Sequence, residues 1–233
     1  MVDVTLRRTR RARRREQTAR EQMASAACRY AALGWPVCQG AHSAGGPPGP
    51  VKRAAGEGAM GRRACSCDRI GCPAPGAHPV SPTWQMQASA EPAEVSRLWA
   101  ATPEANVILV TGRVFDVLDI PVAAGLATLD QMERAGVQPG PVAVGAGDRA
   151  LFFVASRAAH TTQDEWWSCQ LDCAPDDMDQ PGGLRWHHRS SYVLAPPSRY
   201  GTGQAARWLR EPDGRSLPDA VRLLEHLAEG ELS

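Results

Sequence analysis

The amino-acid sequence predicts a mixed α/β or α+β fold, in which a partly antiparallel sheet is flanked by helices. Apolar residues recur at three- and four-residue spacing in several segments, which is the pattern of helices that bury one face. Short apolar runs bounded by Gly or Pro alternate with these segments, as is typical of buried strands. The predicted order is helix, strand, helix, two strands, helix, strands and helix, and this order favours a mixed sheet.

The composition is that of a globular protein without a strong charge bias. The chain has 233 residues, of which 43% are hydrophobic, and its formal net charge is +1. No overall field would draw it to a polyanion, so contacts with nucleic acid must come from local patches. No apolar stretch approaches the roughly 18 residues of a membrane span, and no apolar run follows the N-terminal arginines as in a secretory signal. We therefore expect a cytoplasmic protein whose seven cysteines are free thiols or metal ligands.

The chain divides into a basic N-terminal arm at 1–22, a main domain at 23–212 and a C-terminal helix at 213–233. The arm contains eight arginines: Arg7, Arg8, Arg10, Arg11, Arg13, Arg14, Arg15 and Arg20. Such a block is typical of segments that contact phosphates, but it also fits the solvated end of a helix. A third interpretation is that Met23 rather than Met1 is the true start, because the patterned sequence begins there.

The first predicted helix begins near Met23 and ends at Gly34, and an extended segment follows at 35–37. Residues 40–64 are rich in Gly, Ala and Pro, which is typical of a loop. We expect Ser89 to cap the next helix. The apolar face of that helix comprises Val95, Leu98 and Trp99.

Two apolar runs at 106–110 and 114–120 predict a pair of buried strands joined by a tight turn at 111–113. A helix is predicted over 125–134. Further strands are predicted at 141–144, 151–154 and 192–195. Ser216 is expected to cap the last helix, whose apolar face comprises Val221, Leu224 and Leu227.

A cluster of cysteines and a histidine at 65–79 is the sharpest chemical signal in the sequence. Its candidate ligands are Cys65, Cys67, Cys72 and His78. Thiolates and imidazoles are ligands that zinc prefers, and four of them fill a tetrahedral site without an open position. The Gly and Pro residues between them suit a tight knuckle that a metal would order. We therefore expect a structural zinc ion; the alternative is a set of unliganded thiols, and Cys38 or His42 could replace a ligand.

Six segments occur in an order that resembles a known family. They lie at 30–37, 65–79, Trp84, 105–112, 117–119 and 192–198. Together they resemble the N-terminal domain of bifunctional DNA primase/polymerases, a branch of the archaeo-eukaryotic primase superfamily, over residues 24 to about 210. The resemblance implies a primase/polymerase-like mixed sheet with the zinc knuckle as an insert. It also implies DNA and nucleotides as ligands, and a nucleotidyl transfer in which carboxylates hold two Mg²⁺ or Mn²⁺ ions.

The acids that this resemblance requires are largely replaced. The family needs two acids two residues apart at a strand end, so that both side chains share one face and reach the same metal pair. Asp119 matches the first acid, but Pro121 stands at the second position. Asp116 lies three residues before Asp119, so a regular strand would turn it to the opposite face. Asp119 and Asp116 are therefore residual catalytic candidates, and a purely structural role for Asp119 is an equal alternative.

Other positions of the family's site are also substituted. The turn at 145–150 matches the family's Gly-rich turn, with Ala150 in place of a triphosphate-contacting histidine, and the adjacent Arg149 is expected to point elsewhere. Arg185 stands where a third acid is expected. A refolded loop would be needed to bring in one of the upstream acids, which are Asp172, Asp176, Asp177 and Asp179. Because a pair of divalent ions needs several anionic ligands, we expect polymerase activity to be absent or very weak.

Residues that could bind a nucleotide or nucleic acid remain in the sequence. The candidates are Arg149, Arg189, Arg199 and Tyr192. Adjacent residues of a strand point to opposite faces, so His187 and His188 cannot ligate one metal. We interpret both as surface or core histidines.

Three functions follow from these observations. The leading hypothesis is a catalytically degenerate primase/polymerase-like domain that keeps nucleotide or nucleic-acid binding. The second is an active DNA primase/polymerase that recruits unconventional acids such as Asp116 and Asp179. The third is a zinc-stapled domain that binds protein. Related polymerases often carry a helicase segment, so we expect either that a helicase or other replication protein acts in trans or that the protein has left replication.

Overall fold

The computed structural model describes residues 2–43, 65–67, 69–156, 183–215 and 217–231. Within them, two antiparallel sheets and five helices form an α+β arrangement, which confirms the predicted fold class. None of these helices combines the length and the apolar character that crossing a bilayer requires.

The helices are α1 (Val2–Ala32), α2 (Trp84–Gln87), α3 (Pro92–Ala101), α4 (Val122–Arg134) and α5 (Ala220–Glu231). The strands are β1 (Val37–Gly40), β2 (Asn106–Val110), β3 (Phe115–Pro121), β4 (Val142–Val144), β5 (Arg149–Ala155), β6 (Arg185–His187), β7 (Tyr192–Leu194) and β8 (Arg207–Arg210). The predicted segments are present, whereas the short strands β6 and β8 were not predicted. Both contain arginine, so neither forms the apolar run by which the equally short β4 and β7 were predicted.

The strands form a smaller sheet in the order β1-β2-β7 and a larger sheet in the order β6-β3-β5-β4-β8. The apolar runs at 106–110 and 114–120 are buried strands, as predicted, but they do not pair with each other. β2 belongs to the smaller sheet and β3 to the larger one, so the turn between them crosses from sheet to sheet. Gly112 makes this crossing with φ +79°, and its α-carbon packs against the backbone of Arg189, where a side chain would clash.

Helix α1 joins the basic arm and the predicted first helix into one continuous element. Its C-terminal part buries residues at the predicted spacing: Met23, Ala26, Ala27, Tyr30 and Ala31. Gly34, at φ +78°, follows the end of the helix as predicted. Further toward the N-terminus, Arg11, Arg14 and Arg15 are exposed. The basic arm is therefore helical and presents at least part of its charge to solvent.

Two apolar cores lie on opposite faces of the larger sheet. The first joins both sheets to α1 and contains the aromatic rings of Tyr30, Trp35, Phe115 and Phe153. The second packs the other face against α4 and α5 and includes Leu118, Phe152, Met132 and Leu223. Along β3, Val117 faces the first core and Leu118 the second, because successive side chains of a strand alternate. Asp119 therefore lies on the face that β3 shares with the first core.

Two helix starts differ from the prediction. Helix α3 begins three residues after Ser89, whose hydroxyl donates a 2.6 Å hydrogen bond to Glu94 instead of capping the helix. Ser216 lies outside the described residues. Asp219 caps α5, since its Oδ1 accepts a hydrogen bond of 2.8 Å from the amide of Val221.

Candidate functional site

A cavity of about 430 Å³ lies where the ends of β3, β5 and β6 approach β7. Its lining includes Asp119, Arg149, Arg185, His187, Ser191, Tyr192 and Tyr200. Sheet register brings the charged residues together. Asp119 pairs with Arg185 across β3 and β6, and Arg149 lies opposite Pro121 across β3 and β5. Residues at 119, 149, 185 and 187 thus reach one cavity although they are far apart in the chain.

The buried carboxylate of Asp119 forms an ion pair with Arg149. The guanidinium Nε lies 2.6 Å from Asp119 Oδ1, and Nη2 donates to the Asp119 carbonyl oxygen at 2.7 Å and to the Gly183 carbonyl oxygen at 2.6 Å. Asp119 and Arg149 are only 6% and 8% exposed. Charge-assisted hydrogen bonds of this kind are strong and fix the orientation of both partners. One carboxylate oxygen of Asp119 is thereby committed to a protein cation.

The second carboxylate oxygen of Asp119 contacts His187. His187 Nε2 lies 3.3 Å from Asp119 Oδ2, and its Nδ1 lies 3.0 Å from Ser191 Oγ. An ionised carboxylate only accepts, so a neutral imidazole here donates from Nε2 to Asp119 Oδ2 and accepts at Nδ1 from the Ser191 hydroxyl. Both oxygens of Asp119 are therefore engaged, and Ser191, His187 and Asp119 form a hydrogen-bonded chain along the cavity wall.

Two tyrosines complete the cavity. Burial raises the pKa of Tyr200 to about 12, and the negative charge of Asp119 acts in the same direction. A Cβ added at Gly145 would lie 3.1 Å from the Tyr200 hydroxyl oxygen, so the Gly-rich turn packs closely against that hydroxyl. Burial also raises the pKa of Tyr192, whose ring meets Trp84 edge-on at a centroid distance of 5.3 Å. Both phenols are therefore neutral hydrogen-bonding groups at physiological pH.

Asp116 is placed on the opposite face of β3 from Asp119. Its Oδ1 accepts a hydrogen bond of 3.0 Å from Ser156 Oγ, and it is 3% exposed. β3 pairs with β5 without a register shift from Phe115 to Pro121, so no bulge turns Asp116 toward the cavity. The upstream acids Asp172, Asp176, Asp177 and Asp179 lie outside the described residues.

The expectation that Arg149 points elsewhere is wrong. Arg149 shares a face with Asp119, whereas Ala150 faces helix α4, where its Cβ would lie 2.5 Å from a Cβ added to Gly125. The position that reaches Asp119 is thus 149 rather than 150. A one-residue difference in strand register exchanges the two faces, which is why alignment to a motif did not reveal the ion pair.

The remaining predicted binding residues lie at different distances from the cavity. Tyr192 lines it, whereas Arg189 and Arg199 are exposed and are not among its lining residues. The backbone amide of Arg199 donates to Asn106 Oδ1 at 3.1 Å, and its side chain donates to the Gly203 carbonyl oxygen at 3.3 Å. The sequence interpretation of His187 as a surface or core residue missed its place in the site. Its two-residue spacing from Arg185 on a strand was the available signal.

The four predicted metal ligands converge at one point. The ligand atoms of Cys65, Cys67, Cys72 and His78 lie within 4.8 Å of one another. His78 Nε2 is 3.3 Å from Cys65 Sγ and 3.4 Å from Cys72 Sγ. This Cys₃His cluster could hold a metal ion. Cys38 does not substitute for a ligand, since it packs in a separate apolar cluster with Ile108, Val110 and Leu194.

Surrounding hydrogen bonds orient the cluster. His78 Nδ1 lies 2.8 Å from the Pro79 carbonyl oxygen, which fixes the proton on Nδ1 and leaves Nε2 free to ligate. A backbone hydrogen bond from Arg69 lowers the pKa of Cys67 to about 7, whereas burial raises the pKa of Cys72 to about 11. A bound cation would favour the thiolate at both positions.

Asn106 fastens the knuckle to the loop that carries Tyr200. Its side-chain amide donates to the Gly76 carbonyl oxygen at 2.8 Å and to the Arg199 carbonyl oxygen at 2.7 Å. The side chain is buried at 3% exposure, so these bonds are shielded from water. The amide of Gly201 also donates to the Pro75 carbonyl oxygen at 2.7 Å. Hydrogen bonds therefore join the cysteine knuckle to the loop that contributes Tyr200 to the cavity.

These features define an α+β domain with a Cys₃His knuckle beside a cavity that holds one buried strand carboxylate. The chain belongs to the family of N-terminal domains of bifunctional DNA primase/polymerases, whose sequence pattern matches residues 27–222. The match covers most of the chain and confirms the resemblance of the six segments. No curated protein matches the chain.

Proposed function

We propose that this protein is a catalytically degenerate member of its family that binds nucleotides or nucleic acid without two-metal nucleotidyl transfer. The observation that carries the proposal is the ion pair between Asp119 and Arg149, with Nε and Oδ1 2.6 Å apart. A carboxylate that would serve as a metal ligand is already neutralised by a protein cation.

Electrostatics supports the loss of catalysis. A pair of divalent ions is stabilised by several carboxylates in an oxygen-rich site. Among the described residues that line the cavity, Asp119 is the one carboxylate and faces two cations, Arg149 and Arg185. A metal ion would have to displace a guanidinium that makes three hydrogen bonds, and it would then face Arg185. Asp116, one of the unconventional acids of the active alternative, is on the opposite face of β3 and does not support that alternative. Asp179, the other, lies outside the described residues.

Retained binding is supported by the groups that remain. The cavity offers arginine, histidine and serine hydrogen-bonding groups, and Tyr192 and Tyr200 add aromatic surface. Arg189 and Arg199 are exposed and lie within two residues of cavity-lining residues in the sequence. The N-terminal part of α1 adds the exposed Arg11, Arg14 and Arg15. We assign phosphate contact to these groups, and we assign zinc to the Cys₃His cluster, because three thiolates and one imidazole match its preferences. The zinc would be structural, since four protein ligands leave no position for substrate.

A primer-synthesis and primer-extension assay with Mn²⁺ tests the loss of catalysis. We expect no incorporation above that of Asp119→Ala, while an active primase in the same buffer gives product. Incorporation by the wild-type protein that disappears in Asp119→Ala contradicts the proposal and favours an active enzyme.

Binding to single-stranded DNA at increasing salt tests the retained function. Each phosphate contact releases counterions, so the logarithm of the affinity should fall linearly with the logarithm of salt concentration. Arg189→Ala and Arg199→Ala should each weaken binding and flatten this slope, whereas Arg97→Ala, at an exposed position of α3, should not. Absence of binding at low salt would leave the third hypothesis, a zinc-stapled domain that binds protein.

A further inference from the structure

The guanidinium of Arg149 has oxygen partners of the type that a divalent cation prefers. They are a carboxylate oxygen and a carbonyl oxygen of Asp119 and the carbonyl oxygen of Gly183. Carboxylate and carbonyl oxygens are the hard ligands of Mg²⁺ and Mn²⁺ sites. We propose that the guanidinium of Arg149 occupies the place of a divalent metal ion, so that the cavity binds the phosphate groups of a nucleotide without such an ion. This inference rests on the proposed nucleotide binding.

Arg149 retains donors for such a ligand. A guanidinium carries five N–H groups in a planar fork. Nε and Nη2 are used by Asp119 and Gly183, whereas Nη1 makes no hydrogen bond to any residue in the described part of the chain. The guanidinium is planar and Asp119 holds its Nε edge, so the position of Nη1 is fixed. Arg149 lines the cavity, and the hydrogens of Nη1 have no acceptor among the residues that the structure describes. Phosphate oxygens, like carboxylate oxygens, are acceptors that match a preoriented guanidinium.

The ion pair removes the negative charge that a carboxylate metal site would carry. Arg149 offsets the charge of Asp119, the one carboxylate among the described residues that line the cavity. A site that holds metals through several carboxylates is negative until the ions arrive, and it repels phosphates without them. The pair of Asp119 and Arg149 carries no net charge, so it does not repel a phosphate in this way. Ser191 and Tyr200 add neutral hydroxyls, and about 430 Å³ is enough for phosphate groups with part of a nucleoside.

The first experiment measures binding of dATP to the zinc-loaded protein by calorimetry, in metal-depleted buffer and again with Mg²⁺. Depleting the buffer with a resin, rather than adding a chelator, keeps the metal in the Cys₃His cluster. We expect binding without Mg²⁺ that is equal to or tighter than binding with it, because Mg²⁺ reduces the charge of the nucleotide. Binding that requires Mg²⁺ overturns the inference and leaves the proposed nucleotide binding intact, whereas no binding in either buffer overturns both.

Variants locate the site. Arg149→Gln should weaken metal-free dATP binding by roughly tenfold or more, the effect of losing a charge-assisted contact, and Arg97→Gln should leave it unchanged. Arg149→Lys keeps the charge but loses the fork, so its affinity should lie between those of the wild type and Arg149→Gln. Unchanged affinity in a folded Arg149→Gln protein would show that another group binds the phosphates.

A second measurement needs no folded variant of Arg149. Mn²⁺ added to the wild-type protein and followed by electron paramagnetic resonance should remain free in solution. A control without protein, run with and without saturating dATP, accounts for the Mn²⁺ that the nucleotide itself binds. Mn²⁺ that binds the wild type and is released in Asp119→Asn would place a metal where we place the guanidinium, and would overturn the inference.

Discussion

Arg149 Nε lies 2.6 Å from Asp119 Oδ1, and the same guanidinium binds the backbone carbonyl oxygen of Asp119 at 2.7 Å. The pair is buried and joins the adjacent strands β3 and β5. The acid that the resemblance matched to a metal ligand is therefore half of an internal ion pair. This relationship explains how Asp119 is accommodated in a cavity whose other described lining residues carry no carboxylate.

The first prediction concerns the stability of this pair. Arg149→Gln should lower the free energy of unfolding by about 3–5 kcal/mol, because it leaves the buried carboxylate of Asp119 without its cation. The double variant Asp119→Asn with Arg149→Gln should recover part of that loss, since both charges are removed. Urea unfolding measures all three proteins. Equal stability of Arg149→Gln and wild type would mean that the pair is exposed to water in solution.

The second prediction concerns the Cys₃His cluster. Cys72→Ser should lose bound zinc, as measured by elemental analysis after purification, and should unfold at a lower temperature, because metal binding contributes folding free energy. Cys28→Ser is the matched control, since Cys28 is half-buried and lies outside the cluster. Zinc content that is unchanged in Cys72→Ser would contradict the ligand assignment.

The third prediction follows from the pKa values of the thiols. In the metal-free protein, alkylation of Cys67 should rise with pH through about 7, because its lowered pKa makes the reactive thiolate the major form above that pH. Cys38 should stay unreactive up to pH about 9, since burial raises its pKa to about 12. Mass spectrometry after brief treatment with iodoacetamide at several pH values gives both profiles. Zinc should protect Cys67, and faster modification of Cys38 than of Cys67 would contradict the prediction.

The fourth prediction concerns the link between the knuckle and the cavity. Asn106→Ala leaves the carbonyl oxygens of Gly76 and Arg199 without their donor, so the protein should lose about 1–3 kcal/mol of stability. It should also release zinc faster to a colorimetric chelator. Gln138→Ala, at an exposed position, serves as the control and should change neither property. If zinc release is unchanged in a destabilised Asn106→Ala, the knuckle holds its metal independently of that anchor.

Local patterns predicted much of this architecture. The ends of α1 and α4 follow from the positions of Gly34 and Gly136, both at positive φ, which glycine adopts without strain. Pairing of β4 with β5 follows from two apolar runs separated by a Gly-rich turn. The four ligands of the knuckle are close in sequence, so their spacing was sufficient to predict that they converge.

The sequence by itself determined the fold class, the cysteine cluster, the presence of Pro121 rather than an acid two residues after Asp119, and the opposed faces of Asp116 and Asp119. Each of these depends on residues that are near one another in the chain and on the fixed alternation of a strand. Only the tertiary structure decided that Arg149 forms an ion pair with Asp119, that His187 hydrogen-bonds to the same carboxylate, and that β2 and β3 belong to different sheets. Those outcomes depend on which strands pair and in which register, and pairing between distant strands is set by the packing of the whole chain rather than by any local pattern.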